Sequence, residues 1–310
     1  MAFGPVPSRR LGRSLGINNI PPKVCTYSCI YCQVGRTIDM QLARRSFYRP
    51  EKIKRAVQEK VERLKGAGES IDYLTFVPDG EPTLDINLGR EIDLLKPLGI
   101  KIAVISNNSL ICRQDVREDL FKADLISLKI DSAFPETWHR MNRPIKSLHL
   151  PEILDASLKF AKEYKGKLIT EMMLVRHVND NDRQIRQIAD FLVELQPAKA
   201  YLSIPTRPPA LKWVRPPDRD VIDRAYKIFH EFIHQMECMT DYEGNRFTST
   251  DDIEKDLLSI TAVHPLRKDA VDRLLTQAGA NWEIVEKLIA ENRIAQAEYE
   301  GQVFYKKRMN

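Results

Sequence analysis

Five cysteines serve 310 residues, and three of them fall within eight positions. They stand in the stretch "PPKVCTYSCIYCQVGRT", residues 21–37, as Cys25, Cys29 and Cys32. Three thiolates at C-x3-C-x2-C spacing can wrap one compact, soft metal centre. A structural zinc site is normally closed by four ligands. No fourth cysteine or histidine lies nearby, the nearest candidates being Cys112 and His139. A [4Fe–4S] cluster, by contrast, can be held by three cysteines with one iron left open to a small ligand.

The elements that must position this loop are legible as alternating apolar and amphipathic segments. The apolar runs "SLGIN" (14–18), "YLTFV" (73–77), "KIAVIS" (101–106), "LISLKI" (125–130), "KLITEMMLV" (167–175) and "AYLSI" (200–204) are rich in β-branched and aromatic residues. They lack the polar alternation of a half-exposed strand, as expected of strands covered on both faces. Helix-like segments lie between them. The first, "RPEKIKRAVQEKVERLKGAG", opens near Pro50 and closes on Gly66 and Gly68. Six strands with intervening helices indicate parallel βαβ units of the α/β class. Six is too few for a closed eight-stranded barrel, which favours a partial (β/α)6 TIM-type barrel or an open doubly wound sheet. In either, the cysteine loop follows the first strand, at the sheet end where ligands bind.

After about residue 245 the pattern changes. "STDDIEKDLLSI", "HPLRKDAVDRLLTQAG" and "NWEIVEKLIAENR" read as three short helices, with Ser249 or Thr250 capping the first and Gly279 ending the second. A hairpin around Glu300–Gly301–Gln302 follows. The expected organisation is a barrel over residues 1–240 and a small winged-helix-like domain over 245–310.

No run approaches the 18 apolar residues of a membrane span, and "MAFGPVPSRRLGR" carries no signal-peptide hydrophobic region. The expectation is a cytoplasmic protein without membrane contact, where clustered cysteines mean metal or redox chemistry sooner than disulfides. A net charge of +5 permits an anionic partner without demanding one. Arg9, Arg10 and Arg13 precede the cysteine loop, and Arg44, Arg45 and Arg49 follow it. They fit an RNA partner or, equally, a solvated basic face.

The sequence resembles the radical S-adenosylmethionine (SAM) enzymes, whose signature is C-x3-C-x-Φ-C after the first strand. It stands here as Cys25-Thr-Tyr-Ser-Cys29-Ile-Tyr31-Cys32. After the second strand the family carries a G-E-P motif, and "FVPDGEPTL" supplies Gly80, Glu81 and Pro82. Asp79 stands where the family more often has a second glycine. "ISNNSL" offers Ser106 and Asn107 where relatives have a polar turn, and "SLKID" is similar to the D-L-K strand of activating enzymes, placing Lys129 and Asp131 toward the pocket. More narrowly, residues 4–37 look like those of iron–sulfur oxidoreductases related to the tRNA wyosine synthases.

The resemblance implies a [4Fe–4S] cluster on the three cysteines and SAM on the open iron, through its amino and carboxylate groups. One electron, from a donor such as ferredoxin or flavodoxin, would then release a 5′-deoxyadenosyl radical that takes hydrogen from substrate. Tyr31 would pack on adenine, the Gly80–Pro82 backbone with Glu81 would take the methionyl ammonium, Asn107 would contact ribose, and Lys129 would pair with the carboxylate. Each has a structural alternative: core packing for Tyr31, a helix N-terminal charge for Glu81, a snorkelling barrel residue for Lys129. Cys112 and Cys238 read as buried thiols on helices, too few for an auxiliary cluster. On the substrate side, Arg140 and Arg143 in one loop and Thr206 and Arg207 in another suit a phosphate or carboxylate. His139 and His177 belong to no acid–base constellation.

Three functions stay open. The first is an enzyme modifying an RNA base. The second is an enzyme activating or modifying a protein or peptide, consistent with the acidic third helix (Glu283, Glu286 and Glu291 against Lys287 and Arg293). The C-terminal domain would then be a docking module or a lid. The third is a redox-sensing regulator whose winged helix reads DNA, with Lys306, Lys307 and Arg308 on the wing. A sensor has no need of the G-E-P and Asn107 turns.

Overall fold

The structure is a computed structural model that describes residues 1–233, 235–240 and 252–308. Its centre is an eight-stranded sheet. Strands β1 (Ala2–Ser8) and β2 (Gly12–Ile17) form an antiparallel hairpin at one edge, and the two-residue strands β3 (Val24–Cys25) and β4 (Asp39–Met40) pair separately at the base of the cysteine loop. From β2 the sheet runs parallel through β5 (Tyr73–Phe76), β6 (Lys101–Ser106), β7 (Leu125–Lys129), β8 (Lys167–Met173), β9 (Lys199–Ser203) and β10 (Met236–Met239). Helices α1 (Pro50–Gly66), α2 (Leu88–Leu95), α3 (Gln114–Leu120), α4 (Pro135–Asn142), α5 (Leu150–Glu163), α6 (Asp182–Leu195) and α7 (Arg219–Phe232) lie between the strands. The sheet curls into a half-barrel.

Strand alternation decides what reaches the inside. Leu74 and Phe76, Ile102 and Val104, Ile126 and Leu128, and Ala200 and Leu202 pack outward on the helices. Helix α1 meets them with Ile53, Val57, Val61 and Leu64, the spacing of one helical face. The opposite positions form a smaller inner core, with Ala103, Leu125, Ile169 and Tyr201. The same inward rows also carry Thr75, Lys129, Glu171 and Ser203, which line a cavity at the carboxyl ends of the strands. Register places Lys129 directly beside Glu171 on β8.

The sheet holds two strands more than the six read from the sequence. β1 was masked by Gly4, Pro5 and Pro7, but an edge strand tolerates proline, and a bulge between Phe3 and Val6 absorbs the irregularity. β10 falls in the expected tail of helix α7, which instead stops at Phe232 with Ile233 extended. The free edge of β9 recruits Met236–Met239 in parallel register. Cys238 therefore lies on a strand, half-buried, and Cys112 lies exposed in a turn before α3; neither is a buried helical thiol.

The C-terminal segment comprises α8 (Ile253–Val263), β11 (Leu266–Arg267), α9 (Lys268–Gln277), α10 (Glu283–Ala290) and the hairpin β12 (Ile294–Tyr299)–β13 (Gln302–Lys307). Ser249 and Thr250 lie outside the described residues; the N-cap is Asp252, whose carboxylate accepts from the Lys255 amide at 3.0 Å. Glu300 and Gly301 both take positive φ at the hairpin tip. Leu257, Ile260, Leu274 and Leu288 are among the segment's own core. It also packs on the barrel through a buried ion pair, Lys60 Nζ to Asp256 Oδ1 at 3.1 Å. Among the described residues no helix is long and apolar enough to cross a membrane.

Candidate active site

The cysteine loop is built onto its neighbours by backbone bonds. Lys23 N donates to the Asp79 carbonyl at 2.8 Å and Glu81 N to the Val24 carbonyl at 3.2 Å, so residues 79–81 run alongside β3. Gly80 permits this approach, because a Cβ there would run into the Val24 carbonyl oxygen. On the other side Ser28 N donates to the Asn142 carbonyl at 3.0 Å and Ile30 N to the Met141 carbonyl at 2.8 Å. Ile30 is fully buried against Met141, Val175 and Leu211. Anchored this way, Cys25, Cys29 and Cys32 all line one cavity of about 370 Å³.

The three thiols are free of disulfides. Burial pushes Cys25 up to about 12, with Glu81 adding to the rise. Burial raises Cys29 further, with Cys25 and Cys32 contributing as neighbours. Such thiols become thiolates only against a strongly positive centre. Donors already face two of the sulfurs: Asn107 Nδ2 is 3.4 Å from Cys25 Sγ, and Asn142 Nδ2 is 3.5 Å from Cys29 Sγ. Among the described residues no group of three His, Cys, Asp or Glu side chains is placed to hold a single metal ion. Three soft donors spread along the wall of a roomy cavity fit a cluster with an open face better than one closed zinc.

The expected SAM-binding residues divide into those on the cavity wall and those behind it. Gly80, Glu81, Ser106, Asn107, Tyr31 and Lys129 line the cavity, as do Thr206 and Arg207. Pro82, Asp131 and Arg143 do not. Pro82 turns its carbonyl to Asn19 Nδ2 at 3.2 Å, Asp131 sits behind Tyr31, and Arg143 is exposed at a left-handed helix end. His139, Arg140 and His177 are exposed outside the cavity.

Glu81 is 1 % exposed and accepts four hydrogen bonds. Its Oε1 accepts from Thr83 N (3.1 Å), Thr83 Oγ1 (2.7 Å) and Ser106 Oγ (2.9 Å), and its Oε2 from Asn107 N (2.7 Å). It caps the short 3₁₀ turn Pro82–Leu84 and ties that turn to the loop after β6. Burial raises its carboxyl pKa against the pull of these four donors. Asn107 also reaches Thr26 Oγ1 at 2.8 Å, fixing the third loop to the first.

A second network crosses the barrel. The Tyr31 hydroxyl donates to Asp131 Oδ2, which also accepts from Asn142 Nδ2 at 2.8 Å, and Met173 N donates to Asp131 Oδ1 at 2.8 Å. Lys129 Nζ stands 5.1 Å from the Tyr31 ring centre, 2.9 Å from Glu171 Oε1 and 3.8 Å from Asp131 Oδ1. Glu171 further accepts from Arg10 and from Ser203 Oγ at 3.0 Å. Burial lowers the Lys129 pKa, opposed by Asp131. Lys129 thus enters the site already paired.

Sequence reasoning missed several wall residues. Glu171 and Ser203 are inward positions of strands whose buried character hid the polar exceptions. Arg10 comes from the hairpin turn, and Val263 and His264 come from the end of α8. Gln33 Nε2 donates to the Val263 carbonyl at 2.9 Å, and Arg207 Nη2 lies 2.8 Å from His264 Nε2. Only three-dimensional closure could reveal these. The basic belt is largely engaged internally: Arg10 with Glu171, Arg44 with Asp115 and Asp119, and Arg45 with Asp39.

Comparison with known proteins agrees with this geometry. Residues 19–192 match the model of the radical SAM superfamily. The chain is 47 % identical over its full length to a UPF0026 protein of Methanocaldococcus jannaschii, covering 96 % of it. Among solved structures, TYW1 with a lysine-pyruvate adduct bound matches 71 % of this chain and 73 % of its own at 22 % identity and a TM-score of 0.53. A radical SAM methyltransferase from Sphaerobacter thermophilus matches 73 % and 66 %, at 16 % identity and a TM-score of 0.59. At these identities the two structures speak for the fold.

Proposed function

The chain belongs to the radical SAM superfamily, and from that premise we propose that it is an enzyme abstracting hydrogen from an RNA base. Enzymes of this class bind a [4Fe–4S] cluster and SAM, and they need a reductant; here we propose a low-potential ferredoxin or flavodoxin. The observation that carries the reading is the convergence of Cys25, Cys29 and Cys32 with Glu81, Asn107 and Lys129 on one cavity at the carboxyl ends of the parallel strands.

When bound, cluster and SAM together supply a one-electron cleavage that yields a 5′-deoxyadenosyl radical able to take hydrogen from substrate. The chain's own residues hold and orient. Cys25, Cys29 and Cys32 would ligate the cluster, with the Asn107 and Asn142 amides donating to sulfur. Tyr31, held by Asp131, would offer its ring to adenine, and Asn107 would meet the ribose. Lys129, shared with Glu171, would attract the SAM carboxylate. Ser106 keeps Glu81 in place, and Gly80 lets the second loop sit against the first. Thr206 and Arg207 would take an anionic group of the substrate. The C-terminal segment, 245–310 in the division we propose, contributes Val263 and His264 to the cavity wall and would help keep water from the reaction.

A second reading, a protein- or peptide-modifying enzyme, is favoured by one observation. Arginines that would contact RNA are engaged with Asp and Glu of the same chain. Anaerobic reconstitution, release of 5′-deoxyadenosine and mass comparison of tRNA nucleosides with and without enzyme separate the two. A mass change in tRNA supports the first reading. Turnover only with a peptide or protein fraction supports the second.

A further inference from the structure

Trp213 leaves its indole 50 % exposed, the largest side chain among the exposed hydrophobics described. The loop that carries it, between β9 and α7, is fixed rather than trailing. Leu211 N donates to the Ile30 carbonyl at 3.1 Å, and Val214 N to the Leu211 carbonyl at 3.1 Å. Leu211 and Val214 are buried on either side of the exposed pair Lys212 and Trp213. The Arg215 guanidinium folds back onto the Lys212 and Val214 carbonyls, and the Tyr299 hydroxyl donates to the Val214 carbonyl at 3.4 Å. A ring held out by an ordered loop has little freedom left to lose when a flat partner covers it.

The charges around the indole indicate what that partner is. Ile30, Met141, Val175, Val178, Leu211 and Val214 form one buried cluster beside the cysteine loop. Ile30 ties its segments together, its amide bonded to the Met141 carbonyl at 2.8 Å and its carbonyl to the Leu211 amide. Exposed cations border this cluster: Arg140 and Arg143 near Met141, and Lys212 next to Leu211. Arg215 is shared with Glu300 at 3.3 Å, and Arg176 is held by Asp218. Arg140, Arg143 and Lys212, by contrast, enter no ion pair among the described residues. That sets them apart from Arg10, Arg44 and Arg45, which are engaged with carboxylates of the same chain. The surface also adjoins the site, because Ile30 leads directly into Tyr31 and Cys32 on the cavity wall, and Arg207 on that wall belongs to the Trp213 loop.

A flat apolar ring among uncommitted cations matches a nucleic-acid strand, whose bases stack on the ring while its phosphates meet the charges. An acidic peptide would satisfy the cations but offer the indole no flat partner. We propose that Trp213, with Lys212, Arg140 and Arg143, is a docking surface for a single-stranded segment of RNA outside the cavity. This rests on the RNA reading above and adds a binding site to it. The stacked base is a neighbour of the base that enters the cavity, and the cations hold the phosphates that flank it.

The test uses the full chain with its cluster reconstituted anaerobically and an unmodified tRNA transcript as probe, titrated between about 50 and 200 mM salt. Trp213→Ala should weaken the transcript about tenfold or more, and Trp213→Phe less than about threefold, because the smaller ring still stacks. Lys212→Gln and Arg143→Gln should each lower the salt-dependence slope by about one. Iron content equal to wild type controls for folding, and if Trp213→Ala loses its iron the two cation variants decide. Wild-type affinity in a folded Trp213→Ala, or an unchanged slope in both cation variants, overturns the docking surface while leaving the RNA reading standing. If cluster-loaded wild type binds no transcript but does bind a peptide or protein fraction, the RNA reading fails first and takes this surface with it.

Discussion

At the residue scale, the site separates side chains that hold a ligand from side chains that hold each other. Cys29→Ala should abolish both iron–sulfur absorbance and SAM cleavage, because a trio reduced to two leaves the cluster without its third anchor. Cys112→Ala should spare both, since Cys112 is exposed in a turn away from the cavity. Loss of SAM cleavage in the Cys112 variant would mean the ligands are misassigned. Glu81→Gln should lower cluster retention rather than nucleotide selectivity, because removing the charge weakens four bonds that join two loops; iron counts after desalting measure it. The cysteines, Gly80–Glu81 and Ser106–Asn107 were legible in the sequence because their spacing along successive strands is local information. Glu171 and Ser203 were not, because an inward polar residue inside an apolar run announces itself only when register sets it beside Lys129.

At the scale of elements, strand alternation and close loop contact do the positioning. Gly80→Ala should leave the sheet intact but push the second loop off the Val24 carbonyl. The expected result is unchanged circular dichroism with reduced iron binding, and full iron binding would count against the contact. The parallel βαβ order was readable from apolar runs and helix stops, whereas β1 and β10 were not. Prolines disguised the first, and four residues after a long amphipathic helix looked like its last turn. Helix α2 supplies a pH prediction. Glu91, 1 % exposed, is pushed up to about 9 by burial and then by Asp85. Its folded form therefore holds a proton that the unfolded chain releases near the ordinary carboxyl range, so stability falls as pH rises from about 5 toward 9. Glu91→Gln should flatten that decline, by up to about 1.4 kcal/mol per pH unit in urea titrations. An unchanged slope would show the group ionised when folded.

At the scale of the whole molecule, the C-terminal segment is part of the cavity wall as well as a unit with its own core. The Lys60–Asp256 pair is buried on both sides, and breaking a buried pair by removing one partner typically costs about 3–5 kcal/mol. Lys60→Met should lower the urea midpoint by a corresponding amount and admit protease between barrel and segment. The central claim concerns the metal itself. Anaerobic purification followed by iron, sulfide and zinc analysis, with the reduced protein's EPR spectrum recorded before and after SAM, tests it most directly. The expected result is about four irons and four sulfides per chain and a spectrum that shifts on adding SAM. One zinc per chain, with no iron and no response to SAM, would contradict it.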